Sequence, residues 1–197
     1  MKVLDLFCGK GGWSIPFIED GAEVVGVDML NLGYPGCLLL MDIRQLNGFA
    51  FQGFDFIVGS PPCSQFSKAR GLIHGPRQIE KGLELISAFN RIVTEAKPRF
   101  WAMENVWRLR KWYPIKPIWD FRIGSQAKRS LWGNLNIPLS PEFRFPKRIL
   151  NSRRGRYWAK RKGVRALNAQ DFAMIPYPIA RFIADCVKVQ LNARSGL

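Results

Sequence analysis

The sequence is poor in the residues that build metal centres and disulfide frameworks. Its 197 residues include one histidine and four cysteines, and no two cysteines form a Cys-x-x-Cys pair. This scarcity argues against a zinc site, a histidine-based acid–base centre and a disulfide-stabilised secreted domain. We therefore expect no bound metal and a reducing compartment. Three of the cysteines, Cys8, Cys37 and Cys186, are interpreted as small buried apolar residues.

Long apolar runs are also missing. No run approaches the roughly 20 residues that a helix needs to cross a bilayer. Asp5 stands where a signal peptide would carry its apolar stretch. We expect a protein without a membrane partner that is not secreted and resides in the cytoplasm, or with the nucleoid or nucleus. The hydrophobic fraction of 47% is typical of a globular domain with one sizeable core.

Acidic residues are scarce in one half of the chain only. Residues 1–100 carry 10 basic and 10 acidic side chains, whereas residues 101–197 carry 20 basic and 5 acidic ones. The whole net charge of +15 therefore lies in the second half. This asymmetry predicts a catalytic or nucleotide-binding part joined to a part that binds a polyanion. Nucleic acid is favoured over an anionic membrane, because the basic stretch contains no long amphipathic helix.

Strand and helix signals alternate along the first half. Strands are predicted at 3–7, 23–27, 37–41, 54–58, 100–103 and 131–135, and helices at 13–20, at 78–96 and after Pro178. Such alternation predicts an α/β fold with a mostly parallel sheet and helices on both faces. Ligands of such sheets bind beyond the carboxyl ends of the strands. Because Asp28, Asp42, Cys63 and Glu104 all follow strand ends, we expect them to share one site.

The glycine-rich turn after the first strand reads Asp-Leu-Phe-Cys-Gly-Lys-Gly-Gly over residues 5–12. Glycines allow a backbone to approach a ligand closely, and the start of a helix offers free N–H groups. The turn lacks the Gly-Lys-Ser/Thr of a phosphate-binding P-loop. In dinucleotide folds an acid about 20 residues further on binds the ribose, and Asp28 follows Asp5 by 23 residues. A ribose-containing cofactor fits this pattern.

Two further motifs carry reactive side chains. Residues 59–67 read Gly-Ser-Pro-Pro-Cys-Ser-Gln-Phe-Ser, and two prolines ahead of Cys63 restrict the loop that would aim its thiol. Residues 103–106 read Met-Glu-Asn-Val and place Glu104 at a strand end. By itself, such a carboxyl is as often a helix cap or a salt-bridge partner as a functional group.

In this order the three motifs resemble those of the DNA (cytosine-5) methyltransferase family, which depends on S-adenosylmethionine. The resemblance covers residues 1 to about 134, with a weaker echo at 174–187. It implies a Rossmann-like class I methyltransferase fold, followed by a basic irregular C-terminal region. It also implies a cofactor site made of Phe7, Gly9, Gly11, Gly12, Asp28, Asp42, Ile43 and Pro61.

The resemblance further implies that Cys63 is the nucleophile that adds to carbon 6 of a flipped-out cytosine. Glu104 would bind the edge of the same ring, and carbon 5 would then take the methyl group. Arg129 loosely matches an arginine of the family that binds the cytosine carbonyl. Lys128 in that role, or an Arg129 that only binds phosphate, remains the alternative. Other functions that stay open are methylation of RNA, methylation of an amino group, and nucleic-acid binding without catalysis.

The sequence departs from the family pattern after the third motif. Where family members insert a sizeable target-recognition domain, residues 135–173 form a short and strongly basic interval. We expect a catalytic domain at 1–134, a nucleic-acid-contacting region at 135–173 and a C-terminal helix at 174–197 that packs back. We therefore expect a short or relaxed recognition sequence, or a separate specificity subunit. The expected nucleic-acid contacts are Lys68, Arg70, Arg153, Arg154, Arg156, Tyr157, Lys160 and Arg161, whereas the tryptophans at 101, 107, 112, 119 and 132 are interpreted as packing residues.

Overall fold

The structure is a computed structural model that describes residues 1–67, 76–123, 127–138 and 174–194. Its strands are β1 (Lys2–Leu6), β2 (Glu23–Asp28), β3 (Cys37–Leu40), β4 (Phe56–Gly59), β5 (Phe100–Val106), β6 (Trp119–Ile123) and β7 (Ala127–Gly133). Its α-helices are α1 (Ile15–Glu19), α2 (Ile79–Ala96) and α3 (Tyr177–Arg194). Short 3₁₀ helices span Ile43–Gln45, Gly48–Phe51 and Trp107–Lys111. None of the described helices is long and apolar enough to span a membrane.

The strands form one sheet in the order β3-β2-β1-β4-β5-β7-β6. Strands β1 to β5 are parallel, and β7 runs antiparallel to both β5 and β6. The predicted Rossmann-like fold with a mostly parallel sheet is thereby confirmed. The strand order reverses between β1 and β4, and ligands of open α/β sheets bind at such a switch point. The loops that leave β1 and β4 therefore border the crevice where a ligand is expected.

Alternating side chains along the central strands build a core on each face of the sheet. Val3 of β1 faces the layer that contains α1 and α3, whereas its neighbour Leu4 faces the layer that contains α2. Strand β4 repeats the alternation, with Phe56 on the α3 side and Ile57 on the α2 side. Burying each such side chain stabilises the fold by about 1.5–3 kcal/mol. The sheet is therefore covered on both faces, and its carboxyl edge is left for the site.

The last helix, α3, lies against the sheet through one apolar stripe. Ile179, Ile183 and Val187 of this stripe are completely buried. Ionic contacts at the end of α1 add to this packing, because Asp20 pairs with Arg181 and Lys188 of α3. These hydrogen bonds lower the pKa of Asp20.

Several local expectations are corrected by the structure. The sequence pattern did not predict β6, and β7 begins at Ala127 rather than at residue 131. Helix α1 is shorter than the predicted 13–20, because the glycine turn continues to Ser14. Cys37 is exposed rather than buried, because it opens the edge strand β3, which pairs with β2 alone.

Candidate active site

The loops after β1 and β4 meet at the switch point of the sheet. The indole Nε1 of Trp13 donates a hydrogen bond to Oγ of Ser60 at 2.9 Å and joins the two loops. The β1 loop owes its shape to left-handed backbone at Phe7, Gly9 and Gly11, with φ values of 60°, 53° and 78°. Because Phe7 is not glycine, its left-handed conformation is uncommon and is held by the packed turn around it.

The carboxylate of Asp28 joins the end of β2 to this turn. Its Oδ2 accepts a hydrogen bond from the Gly9 backbone N at 3.0 Å, and its Oδ1 accepts one from the Leu30 N at 3.0 Å. Each carboxylate oxygen has a second lone pair, so Asp28 retains acceptor capacity for a ligand hydroxyl. The structure thus places Asp28, the residue predicted to bind the ribose, beside the glycine turn.

A cavity of about 190 Å³ opens at the turn. Phe7, Gly9 and Gly12, three of the predicted cofactor residues, line it. The other lining residues are Cys8, Lys10, Trp13, Leu32, Ser60, Met174 and Ile175. Sites for small ligands usually enclose about 300–1,000 Å³. The cavity therefore accommodates one end of a nucleoside-sized ligand rather than the whole of it.

The other predicted cofactor residues lie outside the lining of this cavity. The carboxylate of Asp42 accepts a hydrogen bond from the Arg44 backbone N at 2.9 Å and forms an ion pair with the Arg44 side chain. These contacts with Arg44 lower the pKa of Asp42. Ile43 is only 2% exposed and belongs to the α2-side core. Gly11 lies in the turn and packs against Pro35. A Cβ atom at Gly11 would lie 2.7 Å from Cδ of Pro35.

A buried polar cluster packs against the glycine turn. Ser14 Oγ donates to Oδ2 of Asp5 at 2.6 Å and lies 2.7 Å from the Tyr34 hydroxyl. Asp5 is 1% exposed, and its Oδ1 has no hydrogen-bond partner among the described residues. Burial raises the pKa of Asp5 to about 7; the Ser14 hydrogen bond opposes this shift and the charge of Asp28 adds to it. Burial likewise raises the pKa of Tyr34.

Cys63 lies on the loop after β4, which is attached to the end of β5. The side-chain Nδ2 of Asn105 donates to the carbonyl of the buried Pro61 at 2.8 Å. The carbonyl of Cys63 itself accepts from the backbone N of Phe66 and of Ser67, both at 3.0 Å, so a tight turn follows the thiol. Cys63 is partly exposed, in keeping with a thiol that meets a substrate.

Gln65 holds the end of this turn to the start of α2. Its Oε1 accepts a hydrogen bond from the backbone N of Gln78 at 2.8 Å. Gln65 therefore anchors the loop that carries Cys63 to the start of α2.

Glu104 and Arg129 form a buried ion pair on neighbouring strands. Nη1 of Arg129 donates to Oε1 of Glu104 at 3.1 Å, and their side chains are 10% and 3% exposed. Burial by itself would lower the pKa of Arg129, but the charge of Glu104, the charge of Cys63 and hydrogen bonds to both outweigh it and raise that pKa. The guanidinium that pairs with the carboxylate therefore also interacts electrostatically with the thiol. These three residues come from the loop after β4, from β5 and from β7.

Cys63 and Glu104 lie in a region that matches a known family, and Arg129 lies beyond it. Residues 1–114 match the family described as C-5 cytosine-specific DNA methylase. The chain belongs to this family. The sequence-based assignment is thereby confirmed, and residues 1–114 include Cys63, Glu104 and the glycine turn.

Two curated methyltransferases are similar to part of the chain. The Type II methyltransferase M.HindV of Haemophilus influenzae is 29% identical over 131 residues, which cover 60% of this chain and 41% of the relative. The Type II methyltransferase M.AplI of Arthrospira platensis is 34% identical over 115 residues, covering 54% and 31%. The chain thus spans less than half the length of these curated relatives.

A solved methyltransferase structure supports the fold assignment. A methyltransferase from Entamoeba histolytica aligns with a TM-score of 0.53 at 13% identity and covers 73% of this chain and 55% of its own. At this identity the comparison concerns the fold alone.

The structure brings some of the predicted site residues together and adds residues that the motifs did not predict. The three predicted catalytic side chains come together, and the cofactor residues divide between the cavity lining and its surroundings. Trp13, Ser60 and Asn105 were not predicted, although each lies inside or next to one of the motifs. The expected contacts Lys68, Arg70, Arg153, Arg154, Arg156, Tyr157, Lys160 and Arg161 lie outside the described residues. Within the described ranges, no three His, Cys, Asp or Glu side chains are grouped to hold a metal ion.

Proposed function

We propose that the chain is a DNA (cytosine-5) methyltransferase that uses S-adenosylmethionine. The observation that carries this proposal is the buried ion pair between Glu104 and Arg129, whose guanidinium also interacts electrostatically with Cys63. The family match supports DNA as the substrate. A thiol, a carboxyl and a fixed cation are the groups that attack on a pyrimidine ring requires.

The residues around the glycine turn leave a cavity for one end of the cofactor. Gly12 leaves no space for a side chain, because a Cβ atom there would lie 2.8 Å from Cγ of Met174 and 3.1 Å from the Ile175 backbone N. Phe7, Gly9, Gly12 and Trp13 would hold the cofactor inside the cavity, and Asp28 would accept hydrogen bonds from its ribose. When bound, the cofactor supplies an electrophilic methyl group. Asp42 would meet the adenine, whereas the buried Ile43 and Pro61 would support the site from the core.

In the proposed reaction, Cys63 as thiolate forms a bond from its sulfur to carbon 6 of the cytosine. The electron pair of the 5,6 double bond moves toward carbon 5, which becomes nucleophilic enough to take a methyl group. A base then removes the proton on carbon 5, the 5,6 double bond re-forms, and the sulfur–carbon bond breaks to release Cys63. Because carbon 5 lies inside the base stack of a duplex, the cytosine must first be flipped out.

Glu104 and Arg129 would bind the ring while its charge changes. The carboxyl of Glu104 accepts from the exocyclic amine and, when protonated, donates to ring nitrogen 3. Arg129 Nε is buried and has no hydrogen-bond partner among the described residues, so this donor is available for the cytosine carbonyl. Hydrogen bonds that strengthen as charge develops on the ring lower the barrier selectively.

Trapping the covalent intermediate tests the mechanism. Duplex DNA that contains 5-fluorocytosine cannot lose its substituent at carbon 5, so the wild-type protein with tritiated cofactor should form a labelled adduct that survives denaturation. Cys63→Ala should form none, whereas Cys37→Ser, which alters another exposed cysteine, should behave as the wild type. Methyl transfer undiminished in Cys63→Ala would eliminate the proposed mechanism. Labelling of RNA but not of DNA would reassign the substrate.

We further propose that a short or relaxed sequence is recognised, or that a separate specificity subunit supplies recognition. Basic side chains bind phosphates without reading bases, whereas sequence discrimination requires positioned contacts to base edges. Bisulfite mapping of a plasmid treated with the chain alone should find methylation at short or degenerate sites, or none without a partner. Methylation restricted to a single six-base site would contradict this proposal.

A further inference from the structure

A positively charged surface lies beside the proposed active site, at the edge of the sheet where β5 and β6 end and β7 begins. We call it the Trp107 surface. It consists of Trp107, Arg108, Arg110, Lys111, Arg122 and Lys128. Trp107 follows Glu104 by three residues, and Lys128 precedes Arg129 on β7. Because Val106 pairs with Arg129 and Arg122 with Lys128, the three strands bring these cations to one edge.

Trp107 is exposed at the centre of this surface. Its exposed fraction of 39% contradicts the expectation that it is a packing residue. Nζ of Lys128 lies 4.6 Å from the centroid of the Trp107 ring, and Cζ of Arg110 lies 5.7 Å from it. Cations at these distances are attracted to the ring by its quadrupole. The indole therefore organises two cations beside the active site.

A single carboxylate, that of Asp120, pairs with the same two cations that lie near the Trp107 ring. It forms ion pairs with Arg110 and with Lys128, the latter at 3.8 Å, and its Oδ1 accepts a hydrogen bond from Oγ of Ser130 at 2.7 Å. Two of the five cations of the surface thus pair with its acid, Asp120. In addition, Nε of Arg108 is buried and lacks a hydrogen-bond partner among the described residues. The surface keeps a positive excess and a fixed geometry, a combination that favours an anionic ligand.

We propose that the Trp107 surface binds backbone phosphates of the nucleic acid next to the flipped nucleotide, with the indole against the adjoining sugar or base. This inference rests on the proposed function for the position of the target nucleotide. Lysine and arginine bind phosphates and release counterions, and an aromatic ring among cations offers a stacking surface. The described part of the chain would therefore contribute its own nucleic-acid contacts, separate from those expected at 153–161.

Equilibrium binding tests this surface without requiring catalysis. In a Cys63→Ala background, the double variant Lys111→Gln/Lys128→Gln removes two cations of the surface. Its matched control is Lys97→Gln/Arg99→Gln, which removes two exposed cations at the opposite edge of the sheet, where β5 begins. Binding to a fluorescein-labelled DNA duplex is measured by anisotropy over a series of salt concentrations.

We expect the Lys111/Lys128 variant to bind about tenfold more weakly at 0.1 M salt and to lower the slope of log K against log salt by about 2, since each lost phosphate contact removes roughly 0.9. The control should keep the parental slope. DNA should also quench tryptophan fluorescence less in Trp107→Phe than in the parent. Equal affinity and slope in the variant and its control would overturn the inference.

Two outcomes separate this inference from the proposed function. If the wild type forms no adduct with 5-fluorocytosine DNA but the variant loses affinity and slope, the mechanism fails and the Trp107 surface stands. If the adduct forms and the variant binds DNA as the control does, the surface is wrong and the mechanism stands. Weakened binding to phosphatidylglycerol vesicles with unchanged binding to DNA would identify a lipid surface instead and would also overturn the inference.

Discussion

At the scale of single residues, the ion pair between Glu104 and Arg129 has both a structural and a chemical consequence. A buried carboxylate loses its hydration, and only a well-placed cation compensates for the loss. Arg129 provides that compensation and contacts Cys63 with the same guanidinium. The pair therefore holds two reactive groups in place before any substrate binds, which is the arrangement that catalysis by fixed charges requires.

Removing both partners of this pair should destabilise the protein by less than the sum of the two single removals. We expect Arg129→Met to lower the free energy of unfolding by about 3–5 kcal/mol, because it leaves Glu104 buried without its cation. Glu104→Gln should cost less, and the double variant should be more stable than the sum of the single losses predicts. Urea unfolding of the four proteins measures the coupling. Strictly additive losses would show that the two side chains do not stabilise each other.

Asp5 should make stability depend on pH. Its pKa of about 7 in the folded protein lies above its ordinary value of 3.8, so the folded state holds a proton that the unfolded state has released between these values. The cost of ionising the buried carboxyl is absent below pH 4 and complete above pH 7. The free energy of unfolding should therefore fall as pH rises through this window, by up to about 4 kcal/mol.

The variant Asp5→Asn isolates this effect. It should lack this part of the pH dependence, so the difference in unfolding free energy between variant and wild type should change steadily from pH 4 to pH 7. Glu80→Gln, which removes an exposed carboxyl from α2, serves as the control and should leave the profile unchanged. A constant difference between Asp5→Asn and the wild type over this range would contradict the assignment.

At the scale of elements, the end of β5 positions two loops at once. Glu104 and Asn105 are neighbours on this strand, and their side chains point to opposite faces of the sheet. Glu104 reaches Arg129 on β7, whereas Asn105 reaches the carbonyl of Pro61 on the loop that carries Cys63. Two adjacent residues of one strand therefore couple the nucleophile's loop to the strand that carries the arginine.

Asn105→Ala should slow methyl transfer with little effect on cofactor binding. The change leaves the buried Pro61 carbonyl without its donor and the Val106 N–H without its acceptor. Because alanine can replace neither hydrogen bond, the Cys63 loop loses its attachment. We expect kcat to fall about 10- to 100-fold, because a misplaced nucleophile rarely reaches its target geometry. Single-turnover methylation kinetics and cofactor affinity measure the two effects.

The matched control for this variant is Asn134→Ala. Asn134 braces the opposite end of β5, with Oδ1 accepting from the Trp101 N at 2.8 Å and Nδ2 donating to the Arg99 carbonyl at 3.1 Å. Its loss should lower stability to a similar degree but leave kcat near the wild-type value. Equal losses of kcat in both variants would mean that Asn105 acts through general stability alone.

At the scale of the whole molecule, charge and core are arranged differently along the chain. The described core includes apolar side chains from both ends of the chain, such as Val3 and Ile183. The net charge of +15 comes from residues 101–197. Both ends of the chain share one core, but the net charge lies in one half. The protein therefore presents a neutral part and a basic part to its partners. We therefore expect long-range attraction to polyanions to depend mainly on the second half.

Neutralising the basic segment should weaken DNA binding without weakening the fold. The variant changes Arg153, Arg154, Arg156, Lys160 and Arg161 to glutamine. We expect the slope of log K against log salt to fall by up to about 4.5, because at most five phosphate contacts are lost. The melting temperature should stay within a few degrees of that of the wild type. An unchanged salt slope would exclude these side chains from the nucleic-acid interface.

Part of the site could be predicted because the chemistry lies in short contiguous motifs. Phe7, Gly9, Gly12, Cys63 and Glu104 each belong to a segment whose residue types are constrained together. Arg129 could be matched only loosely, since a lone arginine in a basic half resembles any phosphate-binding residue. The exposure of Trp107 could not be predicted, because a tryptophan next to an apolar strand is usually buried. The pairing of β5 with β7 places Lys128 over the exposed ring of Trp107.

By itself, the sequence determined the strand–helix alternation, the family, the order of the reactive motifs and the segregation of charge, because each of these depends on residue type and local spacing. The tertiary structure alone decided that β7 lies between β5 and β6, that one guanidinium joins Cys63 to Glu104, and that Asp5 is buried beneath the cofactor turn. Those facts depend on which distant segments pack together. Desolvation and charge pairing arise only once that packing has removed water from the groups concerned.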